Sequence, residues 1–441
     1  MNRIIRKVAV MLALICCLAF SGCSITMSAD ELMRPPRLTE EQENIYEALL
    51  SATENSAVKL KYPRSGDYKT AFVMYDIDSD SVNEAIVFYS NASATASTAE
   101  TVVNVGVFDE IDGKWELAET FGYNCSDIDL IDFIHNNDGS VSIVIGYITG
   151  LSEKVLSVYE YSNSKLSQVY QSSYTNLYVS DCDSDGIDEL MVFSNNYVSL
   201  TSNLQIVNPD LDFDVTATVE MQPDISEISN IITNSVDGNF VMYIDALNVS
   251  NMLITEIISY DGENAVNLTY DESDKKQVQT LRQSGIYSDD IDSDGEIEIP
   301  SASVLPGYES KEKDNQETAI QWLSLSGDTL VRRYYSYYNL SEGYLFLFPE
   351  RWVGLVTVKP NTETNETVFV KYEGTEISTM KELMRIKAVS AGTKLEEKYK
   401  DYQFVSSDTE HDFYIKLSND ESEKLVLTST EASFNLYAIK K

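Results

Sequence analysis

Three nine-residue stretches of this 441-residue chain place carboxylates where a hard cation would need them. They read DIDSDSVNE from Asp76, DCDSDGIDE from Asp181 and DIDSDGEIE from Asp290, one pattern of the form D-x-D-S-D-[G/S]-x-x-E. The acidic positions are Asp76, Asp78, Asp80 and Glu84; Asp181, Asp183, Asp185 and Glu189; and Asp290, Asp292, Asp294 and Glu298. Alternate Asp side chains in a tight loop converge on one side, Gly186 and Gly295 let the backbone turn with positive φ, and the Glu closes the cage. Oxygen donors in this number select Ca²⁺ over softer metals. A solvated acidic turn would account for one such stretch, but recurrence of the same spacing favours cation binding. The first copy has Ser81 in place of the glycine. The loops are not EF-hands, which need a closing Glu at position 12, where the first and third copies have Val87 and Ser301.

The flanks of each loop say what must position it. AFVMY leads into Asp76 and AIVFY leaves Glu84; NLYVS and LMVFS flank the second copy; these β-branched and aromatic runs are strand signals, so each loop is expected between two β-strands. Weaker copies lie between the full ones. IHNNDGSVSIVIGY aligns Asp138-Gly139 with Asp185-Gly186 but has Asn136 and Ser142 at other ligand positions, and TNSVDGNFVMYI aligns Asp237-Gly238 with Ser235 and Val241 elsewhere. The five copies start at 76, 134, 181, 233 and 290, at intervals of 58, 47, 52 and 57. A period near 50 signals stacked or radially arranged units. Further strand-like runs, such as VVNVGVF, ELAETF, VLSVYEY and LSQVYQ, give three or four strands per unit, which fits a propeller blade. The expected fold is therefore mainly β, with a β-propeller-like repeat domain over residues 66–338.

Two elements flank that domain. TEEQENIYEALLSA has Thr39 and Gln42 in capping-box spacing and Ile45, Leu49 and Ala52 on one face, which predicts a helix over about 40–54 within a segment 39–65. From 339 to 441 the repeat stops, and the pattern predicts a small α+β domain: several strands, among them KLVLTST, and a short helix at TKLEEKYKDY. Its aromatic run (Tyr334, Tyr335, Tyr337, Tyr338, Tyr344, Phe346, Phe348, Trp352) could form a glycan-stacking platform, but a run of this kind is more often core and interface.

The D-x-D-x-D-G-x-x-E loop between strands at this period resembles the FG-GAP or VCBS-type repeats of integrin-α-like β-propellers. The layout as a whole resembles lipoproteins of Gram-positive gut bacteria. The resemblance covers about residues 66–338 and is specific for the loops. It implies that the loop side chains hold Ca²⁺ in a structural and orienting role, on Asp76, Asp78, Asp80, Glu84 and their counterparts. Five copies are fewer than the seven blades usual in the integrin group.

The N-terminus reads MNRIIRKVAVMLALICCLAFSGC: a basic head, an apolar run from Val8 to Phe20, then Ser21 and Gly22 before Cys23. This is a signal-peptide layout over residues 1–22, with an apolar part too short to span a membrane. The FSGC ending resembles the lipobox of bacterial lipoproteins, which implies lipid on Cys23 and a protein held on the extracytoplasmic face of the cell membrane. Residues 23–38, with Pro35-Pro36, suit an extended tether. Of the cysteines beyond the leader, Cys125 and Cys182 are expected to be small buried hydrophobes, not a disulfide.

With 32 Lys+Arg against 71 Asp+Glu the net charge is −39, which argues against a nucleic-acid partner. There is no G-x-S-x-G, H-E-x-x-H or Gly-rich phosphate loop. The two histidines, His135 and His411, lie in different regions without a nearby Cys or paired carboxylate, and Glu410-His411-Asp412 reads as a surface stretch of strand. The chain is thus expected not to be an enzyme. The favoured expectation is a lipid-held module presenting a surface to a protein or glycan ligand, with a structural or accessory subunit of an envelope complex as the alternative and a hydrolase less favoured.

Overall fold

The computed structural model describes residues 38–54, 56–91, 101–150, 153–196, 198–199, 201–271, 276–277, 280–361, 364–374, 377–420 and 422–439. The expected signal peptide, Cys23 and all of the expected tether but Leu38 lie outside them. Among the described residues no helix is long and apolar enough to cross a membrane.

Helix α1 (Glu40–Ala52) starts at Thr39 with the expected capping box and buries Ile45 and Leu49, while Ala52 is exposed. It lies on the first of the six larger antiparallel sheets among the described residues. Sheet 1 contains β1 (Val58–Leu60) and β2 (Phe72–Tyr75), both paired with β3 (Glu84–Asn91), then β4 (Thr101–Ile111) and β5 (Lys114–Cys125). Sheet 2 is the meander β6 (Asp127–His135), β7 (Val141–Thr149), β8 (Glu153–Ser162) and β9 (Lys165–Tyr174). Sheet 3 repeats it with β10 (Asn176–Ser180), β11 (Glu189–Asn196), β12 (Thr201–Asn208) and β13 (Asp214–Met221). Sheet 4 has β14 (Ile225–Val236), β15 (Asn239–Asn248), β16 (Met252–Tyr260) and β17 (Ala265–Asn267). A ribbon of β18 (Tyr270–Asp271) and β19 (Lys276–Gln277) follows, and then β20 (Arg282–Gln283), which pairs with β16.

Sheet 5 comprises β21 (Glu298–Val304), β22 (Thr318–Ser326), β23 (Thr329–Asn339) and β24 (Tyr344–Leu347). Sheet 6 has β25 (Val356–Asn361), β26 (Glu366–Lys371), β27 (Glu382–Ser390), β28 (Gln403–Ser407) and β29 (His411–Leu417), with β29 between β27 and β28. After α2 (Ser429–Phe434), the chain returns to pair β30 (Leu436–Ala438) with β24 of sheet 5.

The apolar runs at the centre of each unit explain how the sheets associate. In β7, Ile143 and Ile145 face sheet 1 while Val144 faces sheet 3; in β11, Leu190 and Val192 face sheet 2 while Met191 and Phe193 face sheet 4. Period-2 alternation with both faces apolar buries a strand between two neighbours. Val241 and Tyr243 continue the series against Ile299 and Leu325 of sheet 5, and Tyr335, Tyr337 and Phe346 continue it against Val358 and Phe369 of sheet 6. Successive sheets therefore stack face to face in chain order. The segment Ser65–Asp67 and the first strands β6, β10 and β14 line one cavity of about 450 Å³, so these units meet along their first strands. This is the mainly β, propeller-like fold that the repeat predicts.

Several local expectations differ from the structure. TKLEEKYKDY makes a single 3₁₀ turn at Glu397–Tyr399, not a helix. KLVLTST is not a strand; its Leu425 and Leu427 are buried, and its last residues enter α2, whose capping box joins Thr428 and Glu431. The Asp237-Gly238 copy is a two-residue hairpin turn with φ of 53° and 88°, the type I′ geometry that tightens a β-hairpin. Cys125 and Cys182 are buried thiols outside any disulfide. The aromatic run is core: Tyr335, Tyr337, Tyr344, Phe346, Phe348 and Trp352 are buried between sheets 5 and 6.

Candidate cation loops and the groups around them

The first two acidic loops follow β2 and β10, and in all three copies the closing Glu opens the next strand, β3, β11 or β21. The registers agree: Glu84 pairs with Tyr75, Glu189 with Ser180 and Glu298 with Asp289. In the third copy the leading segment forms only that single bridge instead of the expected strand. Its backbone groups are taken by side chains, because Ile286 O accepts from Arg282 Nε at 2.6 Å and Ser288 N–H donates to Asp245 Oδ2 at 2.7 Å.

Within each loop the backbone orients the first Asp. Asp76 accepts from the N–H groups of Asp80 and Ser81 at 3.1 and 3.0 Å, Asp181 from Asp185 and Gly186 at 3.2 and 3.0 Å, and Asp290 from Asp294 and Gly295 at 3.1 and 2.9 Å. Asp80, Asp185 and Asp294 cap the amides of Val82, Ile187 and Glu296. The closing Glu ties the loop's second residue to the strand: Glu84 Oε2 accepts from Ile77 N–H, Glu189 Oε2 from Cys182 N–H and Glu298 Oε2 from Ile291 N–H, at 2.9, 2.9 and 3.1 Å. The Cys182 thiol donates to the same Glu189 oxygen at 3.1 Å.

Carboxylate oxygens of Asp76, Asp78 and Glu84 lie within 4.8 Å of one another, as do those of Asp181, Asp183 and Glu189, and of Asp290, Asp292 and Asp294. Asp80, Asp185 and Glu298 stand outside these close groups. All three glutamates are buried, and burial, reinforced by neighbouring aspartates, pushes each up to about 7. Burial likewise raises Asp78 and Asp183, with Asp80 and Asp185 adding repulsion. Glu84 Oε1 is buried without a hydrogen-bond partner. An unpaired carboxylate oxygen beside two convergent aspartates is what a cation ligand looks like before it has its ion. Hard oxygen donors of this kind fit Ca²⁺, and the residues that would hold it are those of the close groups.

Ser81 has φ of 74°, where Gly186 and Gly295 have 92° and 90°. A side chain in this left-handed region costs about 1 kcal/mol. Ser81→Gly is expected to stabilise the cation-free protein by about 0.5–1 kcal/mol in urea unfolding, and an unchanged or lowered midpoint would contradict strain there.

The histidine that seemed isolated in sequence is not. His135 Nδ1 lies 2.6 Å from Asp188 Oδ2, and Tyr75 O–H lies 2.8 Å from His135 Nε2. Tyr75 stacks on Phe133 with ring centroids 3.6 Å apart. The chain Tyr75–His135–Asp188 spans sheets 1, 2 and 3. Burial, with Tyr68 and Asp188 nearby, raises the Tyr75 phenol above its ordinary value. His135 and Asp188 are 53 residues apart and occupy non-equivalent positions of neighbouring units, so the repeat alignment did not pair them. The cavity along the first strands was also missed; Asp67, Asp132, Asn176 and Asn230 line it. Burial, with Asp67 and Asp188 close by, pushes Asp132 up to about 6. His411 and Asp412 open β29 on alternating faces, with His411 Nδ1 3.9 Å from Asp408 Oδ1.

No protein-family model matches the sequence, and no curated protein matches it. Among solved structures, the chain is similar to a Bacillus licheniformis rhamnogalacturonan lyase (13% identity, 71% of this chain and 61% of that one, TM-score 0.35). It is also similar to the Pseudomonas aeruginosa periplasmic gluconolactonase PpgL (12%, 73% and 86%, TM-score 0.31) and to the Dos1 propeller (10%, 66% and 75%, TM-score 0.29). The chain spans about three fifths of the length of two of the rhamnogalacturonan lyases it matches, the Bacillus licheniformis enzyme and YesW. With TM-scores below 0.5, the propeller-like reading rests on the sheets themselves.

Proposed function

We propose that this chain is an exported, lipid-anchored binding protein of FG-GAP or VCBS type, held at the cell membrane through Cys23, whose propeller-like body is braced by Ca²⁺ in three loops. The observation that carries the cation part is the convergence of oriented carboxylates in all three loops, where the first loop also has a buried, unpaired oxygen on Glu84. The bound Ca²⁺ would neutralise those carboxylates and fix the start of each unit. Ion binding of this kind is structural, so the protein's work is to present a surface to a protein or glycan ligand. The cavity along the first strands supports that reading, since its carboxylate and amide groups can hydrogen-bond ligand hydroxyls or amines and four chain segments hold them in place.

The Ca²⁺-loaded protein is expected to retain a member of a glycan panel or an envelope protein saturably, and to lose it on Asp132→Asn or Asn230→Ala. Retention that ignores both substitutions, or none from either panel, contradicts this placement of the ligand.

A further inference from the structure

Full and short copies of the loop alternate: full acidic loops lead into β3, β11 and β21 of sheets 1, 3 and 5, and short turns join β6 to β7 in sheet 2 and β14 to β15 in sheet 4. The short turns bond to the full loops beside them. Ser79 Oγ, between Asp78 and Asp80, donates to Gly139 O at 2.5 Å. His135 lies at the end of β6, where that turn begins, and reaches both ways. Its Nε2 meets the hydroxyl of Tyr75, the residue before Asp76, at 2.8 Å. Its Nδ1 and backbone N–H meet Asp188, the residue before Glu189, at 2.6 and 3.0 Å, and Asp188 N–H returns to His135 O at 3.2 Å. A proton on Nδ1 satisfies every contact, because Nδ1–H then donates to the carboxylate and Nε2 accepts from the phenol. On the far side, Asn234 Nδ2 donates to Gly295 O of the third loop at 2.8 Å.

We infer that the two short copies are braces for the cation loops: His135 positions the first and second loops together, and Asn234 helps to position the third. Each full loop gathers carboxylates that repel one another, so the backbone around it must be held from outside if the ligands are to stay convergent. Groups that orient ligands from one step away change metal affinity by about 10–100-fold when removed. His135 touches the neighbours of ligands in both loops, and so an ion in the first loop, by fixing Tyr75, also fixes Asp188 and Glu189.

This rests on the cation reading above, and calorimetric Ca²⁺ titration separates the two. Asp290→Asn with Asp292→Asn disables the third loop; Asp76→Asn with Asp181→Asn leaves only the third. In the first background His135→Ala is expected to weaken Ca²⁺ binding by about tenfold or more. His135→Asn, which keeps a donor for Asp188, should recover part of the loss. In the second background His135→Ala should change affinity less than about twofold, while Asn234→Ala should lower it about tenfold. His135→Ala without effect on the first two loops, or with an equal effect on the third as a general loss of folding would produce, overturns the brace. Absence of Ca²⁺ binding by the unmodified protein overturns the cation reading itself.

Discussion

Arg282→Met is expected to destabilise the protein by about 3–5 kcal/mol, the largest effect of a single substitution predicted for this fold. Arg282 and Asp245 are both fully buried, with Nη2 and Oδ1 2.6 Å apart. The guanidinium also donates to Thr255 Oγ1, Thr280 O and Ile286 O at 2.8, 2.9 and 2.6 Å. Asp245 accepts from Ser288 N–H and Oγ–H at 2.7 and 2.8 Å and from Thr255 Oγ–H at 2.6 Å. Removing the arginine leaves a carboxylate stranded away from water, which costs far more than the pair contributes when intact. In urea unfolding, Arg282→Met combined with Asp245→Leu should be less destabilised than the two single variants summed, because the double change removes both charges. Additive losses would mean that the two groups do not compensate one another. The same network holds Ser288, two residues before Asp290, so Arg282→Met should also loosen the third loop.

The second large effect is expected from removing the cation, and it reverses the pH dependence of stability. In the cation-free fold, burial puts Glu84, Glu189, Glu298 and Glu256 each at about 7, whereas an unfolded Glu titrates near 4.3. Between those values the folded state holds more protons than the unfolded one, so stability is greatest at the acid end and falls as pH rises through about 7. Ca²⁺ requires the deprotonated carboxylates, so its stabilisation grows with pH over the same window. It adds about 2.7 kcal/mol per occupied loop when free Ca²⁺ is 100-fold above its dissociation constant. Thermal unfolding at pH 5 and pH 8 checks this. EDTA-treated protein should melt higher at pH 5, and the increment from Ca²⁺ should be larger at pH 8; parallel profiles would contradict it.

Much of this was legible in the sequence because the repeat is short-range. The D-x-D-S-D loops announce themselves by spacing, and the runs on either side, apolar on successive residues, mark strands buried on both faces. Even the degenerate copies could be aligned, since Asp138-Gly139 and Asp237-Gly238 preserve the turn. What escaped is what folding brings together from afar. Asp245 and Arg282 are 37 residues apart and His135 and Asp188 are 53 apart, and neither pair carries a local pattern. The helix expected at TKLEEKYKDY failed for a physical reason: Tyr399 is drawn into the packing of sheet 6, under Lys387 with Nζ 4.6 Å from its ring centroid, and the chain completes only one 3₁₀ turn. KLVLTST alternates like a strand, yet Trp352 Nε1–H bonds Leu425 O at 2.7 Å and the Thr428–Glu431 capping box starts a helix where the pattern promised pairing.

If three acidic loops hold Ca²⁺ and brace the propeller-like body, the ions can be counted. Calorimetric titration of EDTA-stripped protein is expected to give three Ca²⁺ per chain and a raised unfolding temperature, with Asp76→Asn, Asp181→Asn and Asp290→Asn each losing one ion. A protein that takes up no Ca²⁺, or whose uptake ignores all three substitutions, would have no cation sites in these loops.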